Sequence, residues 1–586
     1  MGAFLKQKKG LIGFFLIGLL WKCETAPTPP NLVIIMADDQ GWGDLSVHGN
    51  RDLNTPNIDA LAETGASFEN FYVSPVCSPT RAALLTGRYH FRTGVYGTSA
   101  GGERLNLDEQ TLGEVFEDAG YQTALYGKWH SGMQYPYHPN ARGFQDFYGF
   151  CSGHWGNYFD PELEANGQWV EGEGYITNDL TQHALDFIEA NQQKPFMLYL
   201  SLNTPHSPMQ VPDFYWDVFK NKTLVHQQSI RDSLHTRAAL AMVANIDDNV
   251  GRINSQLKKL ELEENTIIIY LSDNGPNGHR WNADMKGIKG STDEGGTRSP
   301  LFIKWKNKII PKKIIQLAGT IDLLPTLTAL AGIDHQPKKP LDGIDLSTWI
   351  LDATEVSEER MLVSYWRHKM SIRSQNYRLD AQNNLYNIQN DRAQKYPLDT
   401  TIHSTVYKSL RATKKKYNAL KFPSKATDKR PFPLGHPNFI WTELPARDAH
   451  LEGGVKRSNR HPNCTFITNW TATEDKVIWP VEVLAPGTFE VTLYYSCAKE
   501  NVGTKMNLRF NQSQLSWQLL EAHDPPLEGA SLDRSPRIES YTKPFKKLTI
   551  GKITLEKGKG QMTMQATKIP GFAAIDIRRL VFKRLN

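Results

Sequence analysis

Several short polar segments hold side chains able to do chemistry together. Asp38 and Asp39 are adjacent carboxylates, and Asp273-Asn274 is a second pair of carboxylate and neutral carbonyl far along the chain. All four are hard oxygen donors, suited to calcium or magnesium rather than to a soft metal. Lys128 and His130 stand two residues apart, one able to pair an anion and the other to move a proton. His206 and Lys289 offer a second histidine and a second ammonium. Cys77 precedes Ser78-Pro79-Thr80-Arg81, at the entrance of a helix whose positive end attracts anions. Each segment alone also fits a plainer role: Asp-Asp and Asp-Asn form turns, Lys-x-His suits a solvated loop, and a lone cysteine is a small buried residue.

The flanking sequence supplies the elements that would position them. Leu32–Met36, Tyr121–Tyr126, Pro195–Leu202 and Thr266–Leu271 are apolar runs of strand length, as expected of strands buried on both faces of a mainly parallel sheet. Asp38-Asp39, Lys128-His130, His206 and Asp273-Asn274 follow those runs directly. In open α/β sheets ligands gather beyond the carboxyl ends of strands, so four exits would deliver their groups to one edge. Helices are predicted from Thr55 as cap and Pro56 as first residue to Gly65, with Pro79 near the start of the Cys77 helix, and over Leu107–Ala119, Tyr175–Ala190, Ser229–Leu260, Ile321–Ala331 and Tyr407–Leu420. Gly149–Tyr158, polar and aromatic together, could line a cleft.

The run Cys77-Ser78-Pro79-Thr80-Arg81 with Leu85-Thr86-Gly87, the segment Gly127-Lys128-Trp129-His130, and Lys289-Gly290 with Glu294-Gly295-Gly296 resemble the motifs of type I sulfatases, of the alkaline-phosphatase-like superfamily. Thr80 stands where that family usually has Ser. The resemblance spans roughly residues 31–391. It implies that Cys77 is oxidised to formylglycine by a formylglycine-generating maturation enzyme. The aldehyde hydrate is then the nucleophile of sulfate monoester hydrolysis, through a sulfated-enzyme intermediate. It further implies one divalent cation, Ca2+, on Asp38, Asp39, Asp273, Asn274 and residue 77. Arg81 and Lys128 would hold the hydrate, His130 would take its proton, and His206 with Lys289, chosen over Lys286, would bind sulfate. The rival enzyme class is a phosphatase or phosphonate monoester hydrolase of the same superfamily, in which a histidine commonly follows the second aspartate; here Asn274 does. A non-catalytic glycan-binding protein is the alternative from another class.

At 586 residues the chain exceeds one ordinary domain, and a net charge of +5 gives no reason to expect nucleic acid as partner. Five cysteines make no disulfide framework, with the pairing of Cys464 and Cys497 left open. Lys6, Lys8 and Lys9 before Leu11–Trp21 predict a signal peptide over 1–30 and a secreted or periplasmic protein without a stable membrane span. Trp21-Lys22 fits a lipid anchor at Cys23 poorly.

The expected fold class is α/β: a mixed, mainly parallel sheet flanked by helices over 31–355, then a small antiparallel subdomain over 356–421. A linker over 422–437 and a β-sandwich over 438–586, carbohydrate-binding or purely structural, would follow. Export together with such a sandwich favours a sulfated glycan as substrate. His154, Trp155, Arg280, Trp281, Arg367 and His368 are the expected rim of the site.

Overall fold

The computed structural model describes residues 1–2, 28–225, 230–352 and 359–586. The apolar leader and Cys23 lie outside them. Among the described residues no helix is long and apolar enough to cross a membrane.

The N-terminal part of the described chain is built on a ten-stranded sheet. Its centre comprises β1 (Asn31–Ala37), β2 (Gln122–Lys128), β3 (Asp146–Phe150), β4 (Phe196–Ser201), β5 (Thr266–Ser272) and β6 (Leu301–Trp305), in the order β6-β5-β1-β4-β2-β3. The five strands from β5 to β3 are parallel, and β6 runs antiparallel to β5. Alternation of side chains along each strand explains why these runs are continuously apolar. Val33 and Ile35 of β1, Leu198 and Leu200 of β4, and Ile268 and Tyr270 of β5 enter one core. Leu32, Ile34 and Met36 of β1, Met197 and Tyr199 of β4, and Ile267, Ile269 and Leu271 of β5 enter the other. Complete burial of each large apolar side chain is worth about 1.5–3 kcal/mol, so both faces hold the sheet in register.

Helices α1 (Pro56–Thr64), α3 (Ile176–Ala190) and α4 (Ile230–Lys259) cover the first face, and α2 (Cys77–Thr86) lies on the second. Pro56 opens α1 as predicted, but the Thr55 hydroxyl donates to Asp59 at 2.7 Å instead of capping the helix backbone. Helix α2 begins at Cys77, two residues before Pro79; the missing proline N–H costs nothing there, because the first four N–H groups of a helix have no intrahelical partner. The helix predicted over Leu107–Ala119 is only Leu112–Asp118. Thr111 forms a capping box with Glu114, which fixes the start one turn later.

A four-stranded antiparallel sheet, Leu362–Trp366, Lys369–Arg373, Tyr377–Leu379 and Leu385–Asn387, follows, with the helix Ser404–Asn418. Two six-stranded sheets then enclose a separate core that includes Trp470, Trp479, Phe489 and Phe582. Phe432–Leu434, within the stretch expected to be a linker, pairs parallel with Val481–Val483 and so joins this sandwich. Cys464 and Cys497 are both free thiols. Cys464 Sγ points at the His154 carbonyl at 3.3 Å, while Cys497 Sγ meets its neighbour Ala498.

Candidate active site

The carboxyl edge of the parallel strands brings the predicted groups into one buried cluster. Register places Met36 beside both Leu271 and Ser201, so the exits of β1, β5 and β4 are level. Asp38 and Asp39 leave β1, Asp273 and Asn274 leave β5, His206 follows β4, and Lys128 ends β2. Asp39 and His130 have left-handed backbones, φ 67° and 60°. Such conformations are uncommon for non-glycine residues and collect at functional sites.

Three carboxylates and three cations interlock there. Arg81 reaches from α2 to Asp273 at 2.8 Å and to the Lys128 carbonyl at 2.9 Å, and also meets the Ser201 hydroxyl. Lys128 Nζ lies 2.6 Å from Asp38, and Lys289 Nζ lies 2.6 Å from Asp39. The Lys289 loop is pinned by its backbone: Lys289 N donates to Pro276 O and Gly290 N to Pro75 O, tying it to the loops after β5 and before α2. Lys286 pairs instead with Asp293. Asn274 Nδ2 donates to Asp39 at 2.7 Å, and the Asp39 N–H donates to Asp273 at 3.1 Å. His206 Nε2 stands 3.6 Å from Asp39. His130 is also buried, with Nε2 on the Thr98 carbonyl at 2.8 Å and Nδ1 without a partner.

Charge is not balanced evenly across the cluster. Burial, reinforced by Asp273, pushes the Asp38 carboxyl up to about 7 although Lys128 pulls the other way. Burial acts in the same sense on Asp39, but Lys289 and His206 outweigh it and hold that carboxyl well below the usual range. Asp273 is lowered despite burial, chiefly by Arg81. Burial and then Lys128 keep the His130 ring neutral.

Two oxygens remain open. Asp38 Oδ1 and Asn274 Oδ1 are buried and accept no hydrogen bond. Ligand atoms of Asp38, Cys77 and Asp273 lie within 4.8 Å of one another, as do those of Asp38, Asp39 and His206. Buried acceptors are normally satisfied, so an oxygen-rich pocket with two empty acceptors fits a hard divalent cation.

Helix α2 presents Cys77 at its first position, and all ten of its residues are buried. No side chain caps this end, which leaves the Cys77 and Ser78 N–H groups without an intrahelical partner, whereas Thr80 N donates to Val76 O at 3.3 Å. Thr80 holds the turn that leads into the helix. Its hydroxyl accepts from Ser74 N at 2.9 Å and approaches the Ser74 and Val76 carbonyls at 3.2 and 3.3 Å. A serine hydroxyl could make the same contacts, so the threonine adds one methyl group.

The expected rim is largely displaced. Arg280 is buried, bound to Asp44 at 2.6 Å and to the Asp39 carbonyl at 2.9 Å, and supports the loop after β1. Trp155 stacks on Phe150 in the core. The edge of the Trp281 ring lies near Gly49, where an added Cβ would stand 3.8 Å from Trp281 Cη2. Arg367 and His368 form a hairpin turn, and His368 lines a cavity of about 670 Å³ beside the helix Ser404–Asn418. His154 does approach the site, with its ring 5.4 Å from that of His206.

Two further residues were not singled out from the sequence, although Tyr158 ends the Gly149–Tyr158 stretch expected to line a cleft. Tyr158 OH reaches the carbonyls of His206 and Ser207, both at 2.9 Å, and so shapes that loop. Asn203, at the exit of β4, has both side-chain polar atoms buried and unpartnered. Its place beside Thr204-Pro205-His206 was the available signal.

Residues 30–333, just over half of the chain, match the family model described as Sulfatase. N-acetylgalactosamine-6-sulfatase of Mus musculus is 34% identical over 383 residues, covering 59% of this chain and 70% of that protein. Arylsulfatase G of Rattus norvegicus is 31% identical over 402 residues, covering 58% and 73%. Among solved structures, Ps i-CgsB in complex with k-i-k-neocarrahexaose superposes with a TM-score of 0.62 at 31% identity, covering 68% of this chain and 94% of that one. A match of that extent, laid over a parallel sheet whose exits meet at one site, makes this chain a member of the type I sulfatase family, with its alkaline-phosphatase-like fold.

Proposed function

We propose that this sulfatase removes sulfate from a sulfated glycan, using a formylglycine made from Cys77 and a calcium ion held by Asp38, Asp39, Asp273, Asn274 and residue 77. The observation that carries this reading is the pair of empty buried acceptors, Asp38 Oδ1 and Asn274 Oδ1, in a cluster that also includes the Cys77 side chain. When present, formylglycine supplies a hydrated aldehyde, one hydroxyl for attack on sulfur and a second whose deprotonation lets sulfate depart, and the cation supplies positive charge.

The protein side chains provide the rest. A sulfate monoester repels an anionic nucleophile, and Lys128 and Lys289 offer preorganised positive charge against that repulsion. Arg81 binds Asp273, the Lys128 carbonyl and Ser201, so it fixes the residue 77 helix against the carboxylates. His130, neutral and with Nδ1 open, is suited to accept a proton from the residue 77 hydroxyl. His206 faces the site through Nε2, with Nδ1 on the Ser207 carbonyl at 2.7 Å, and would serve the departing glycan oxygen.

A glycan substrate is supported by the names of the relatives, one an N-acetylgalactosamine-6-sulfatase and another crystallised with a neocarrahexaose. The charged and apolar leader supports secretion or periplasmic export, where a formylglycine-generating enzyme would act on Cys77 before folding closes α2. The proposed units are 31–355 for catalysis, 356–421 as the small subdomain and 432–586 as the sandwich, which takes in the strand Phe432–Leu434. Sulfate release from sulfated polysaccharides and oligosaccharides, followed by ion chromatography, tests the function. The wild-type protein turns over repeatedly and Cys77→Ala does not; hydrolysis of phosphate esters alone would overturn the reading.

A further inference from the structure

A segment of the distal sandwich is built into the catalytic part. Glu528 and Thr542 bridge to each other and close an arm between them. The arm is bound through its backbone to the loop after β4: Arg534 N donates to Met209 O at 2.8 Å, and Gln210 pairs with Asp533. Gln210 Nε2 reaches Asp533 at 3.0 Å, Arg537 Nη1 reaches the Gly156 carbonyl at 2.7 Å, and Arg534 pairs with Asp213. Near its C-terminal end Glu539 accepts from the Ser207 hydroxyl at 2.6 Å, one residue after His206.

The arm leaves a cavity of about 230 Å³ between itself and two strand exits. Ser207 and Met209 come from the loop after β4, Asn277 and Gly278 from the loop after β5, and Arg537 and Glu539 from the arm. These are the loops that carry His206 and Asn274, so the cavity adjoins the place where the leaving alcohol must sit. Arg537 is paired with Asp533, with Nε at 2.7 Å from the carboxylate, and Glu539 brings a further carboxylate to the cavity, which His235 also lines. Burial opposes ionisation of Glu539, but His154, His206 and the Ser207 bond lower its carboxyl below the usual range, while burial lowers His154 itself. Beside Glu539 stands His154, 4% exposed, with both ring nitrogens buried and unpartnered. A buried imidazole without a partner normally signals a missing one.

We propose that the arm Glu528–Thr542 makes a glycan subsite, in which Glu539 binds hydroxyls of an uncharged sugar next to the sulfated one. The Glu539 carboxylate accepts those hydroxyls and disfavours a sulfate or carboxylate on that sugar. The sandwich then acts in substrate choice through its arm. The arm lies beyond the 30–333 segment that matches the family model. This inference rests on the sulfatase reading and specifies what its substrate carries beyond the reacting ester.

The test compares kcat/KM of wild type, Glu539→Gln and Glu539→Ala on three substrates: 4-nitrophenyl sulfate, a sulfated oligosaccharide with a neutral neighbouring sugar, and one with a sulfate on that neighbour. Hydrogen bonds to a charged group support an expected loss of about tenfold or more on the neutral-neighbour oligosaccharide in both variants. The loss on 4-nitrophenyl sulfate, which cannot reach the subsite, should be several times smaller. Glu539→Gln, which preserves shape and the Ser207 contact, should lower the preference for the neutral over the sulfated neighbour by about tenfold. Thermal unfolding of both variants is followed in parallel; if the alanine variant does not fold, the glutamine variant decides. Equal losses on all three substrates, or an unchanged neighbour preference in Glu539→Gln, overturns the subsite. If the wild type releases sulfate from none of them, the proposed function fails, and the subsite with it.

Discussion

Two buried charge clusters lie close together in the catalytic part, and they are finished differently. Glu294 is the hub of one. Its carboxylate receives Arg378 at 2.8 Å, Arg373 at 3.1 Å and Tyr72 OH at 2.9 Å, and Arg298 lies 3.9 Å away. Both oxygens are partnered, and although burial opposes ionisation, Arg378 and Arg373 bring the carboxyl down to about 2. The other cluster, around Asp38, Asp39 and Asp273, has as many cations close by but leaves Asp38 Oδ1 and Asn274 Oδ1 empty, with Asp38 raised to about 7. A cluster that closes on itself joins elements; Glu294 ties the loop after β5 to the four-stranded sheet. A cluster that stays open stores a demand for a ligand.

The contrast can be broken by exchanging what each cluster lacks or has. Asp38→Asn is expected to lower kcat by about 10³-fold, the scale of a lost preorganised charge. In protein stripped with a chelator, the same variant leaves Lys128 without its carboxylate, yet should destabilise less than loss of the Glu294 charge, because Asp38 is raised to about 7 and is already partly protonated near neutral pH. A loss of stability as large as that of Glu294→Gln would show that Asp38 belongs to a closed cluster after all. Glu294→Gln should do the reverse. It leaves three arginines around a neutral group and should cost about 3–5 kcal/mol in denaturant unfolding, while the folded enzyme keeps kcat within a few-fold.

Acid sharpens the difference, because the two carboxyls shift in opposite directions. Glu294 is held at about 2 against an ordinary 4.5. Its contribution, about 3 kcal/mol, is therefore complete above pH ~4.5 and lost as pH falls toward 2. Asp38 is raised from 3.8 to about 7, so in cation-free protein its contribution favours folding below pH ~3.8 and is lost as pH rises through 7. Unfolding of the chelated protein against pH should carry both slopes; Glu294→Gln should flatten only the acidic one, and Asp38→Asn only the other.

The sheet and most of this site were legible in the sequence, for a definite reason. A parallel strand buried on both faces must be apolar throughout, so Leu32–Met36 and Thr266–Leu271 stand out, and the polar residues that end them are the ones at the carboxyl edge. Lys289 was readable through its motif, and the structure adds the cause, two backbone bonds to the loops at Pro75 and Pro276. Long-range pairing was not legible. Arg280 looked like a rim residue because nothing local reveals that Asp44 claims it, and Trp155 gave no sign of stacking on Phe150. Glu539 lies more than 300 residues from Ser207, in a sandwich whose strands predict a fold and not a place in the active site. Helix ends set by side-chain caps, as at Thr111, also escaped a reading based on apolar spacing.

Residue 77 is the one position where the encoded side chain is not the proposed working group. Mass spectrometry of the peptide containing it, from protein coproduced with a formylglycine-generating enzyme, tests this most directly when run beside sulfate release on the same preparation. An aldehyde at residue 77, in proportion to the active fraction, is the expected result. Full multiple-turnover sulfatase activity in a preparation whose residue 77 is an intact cysteine thiol would contradict it.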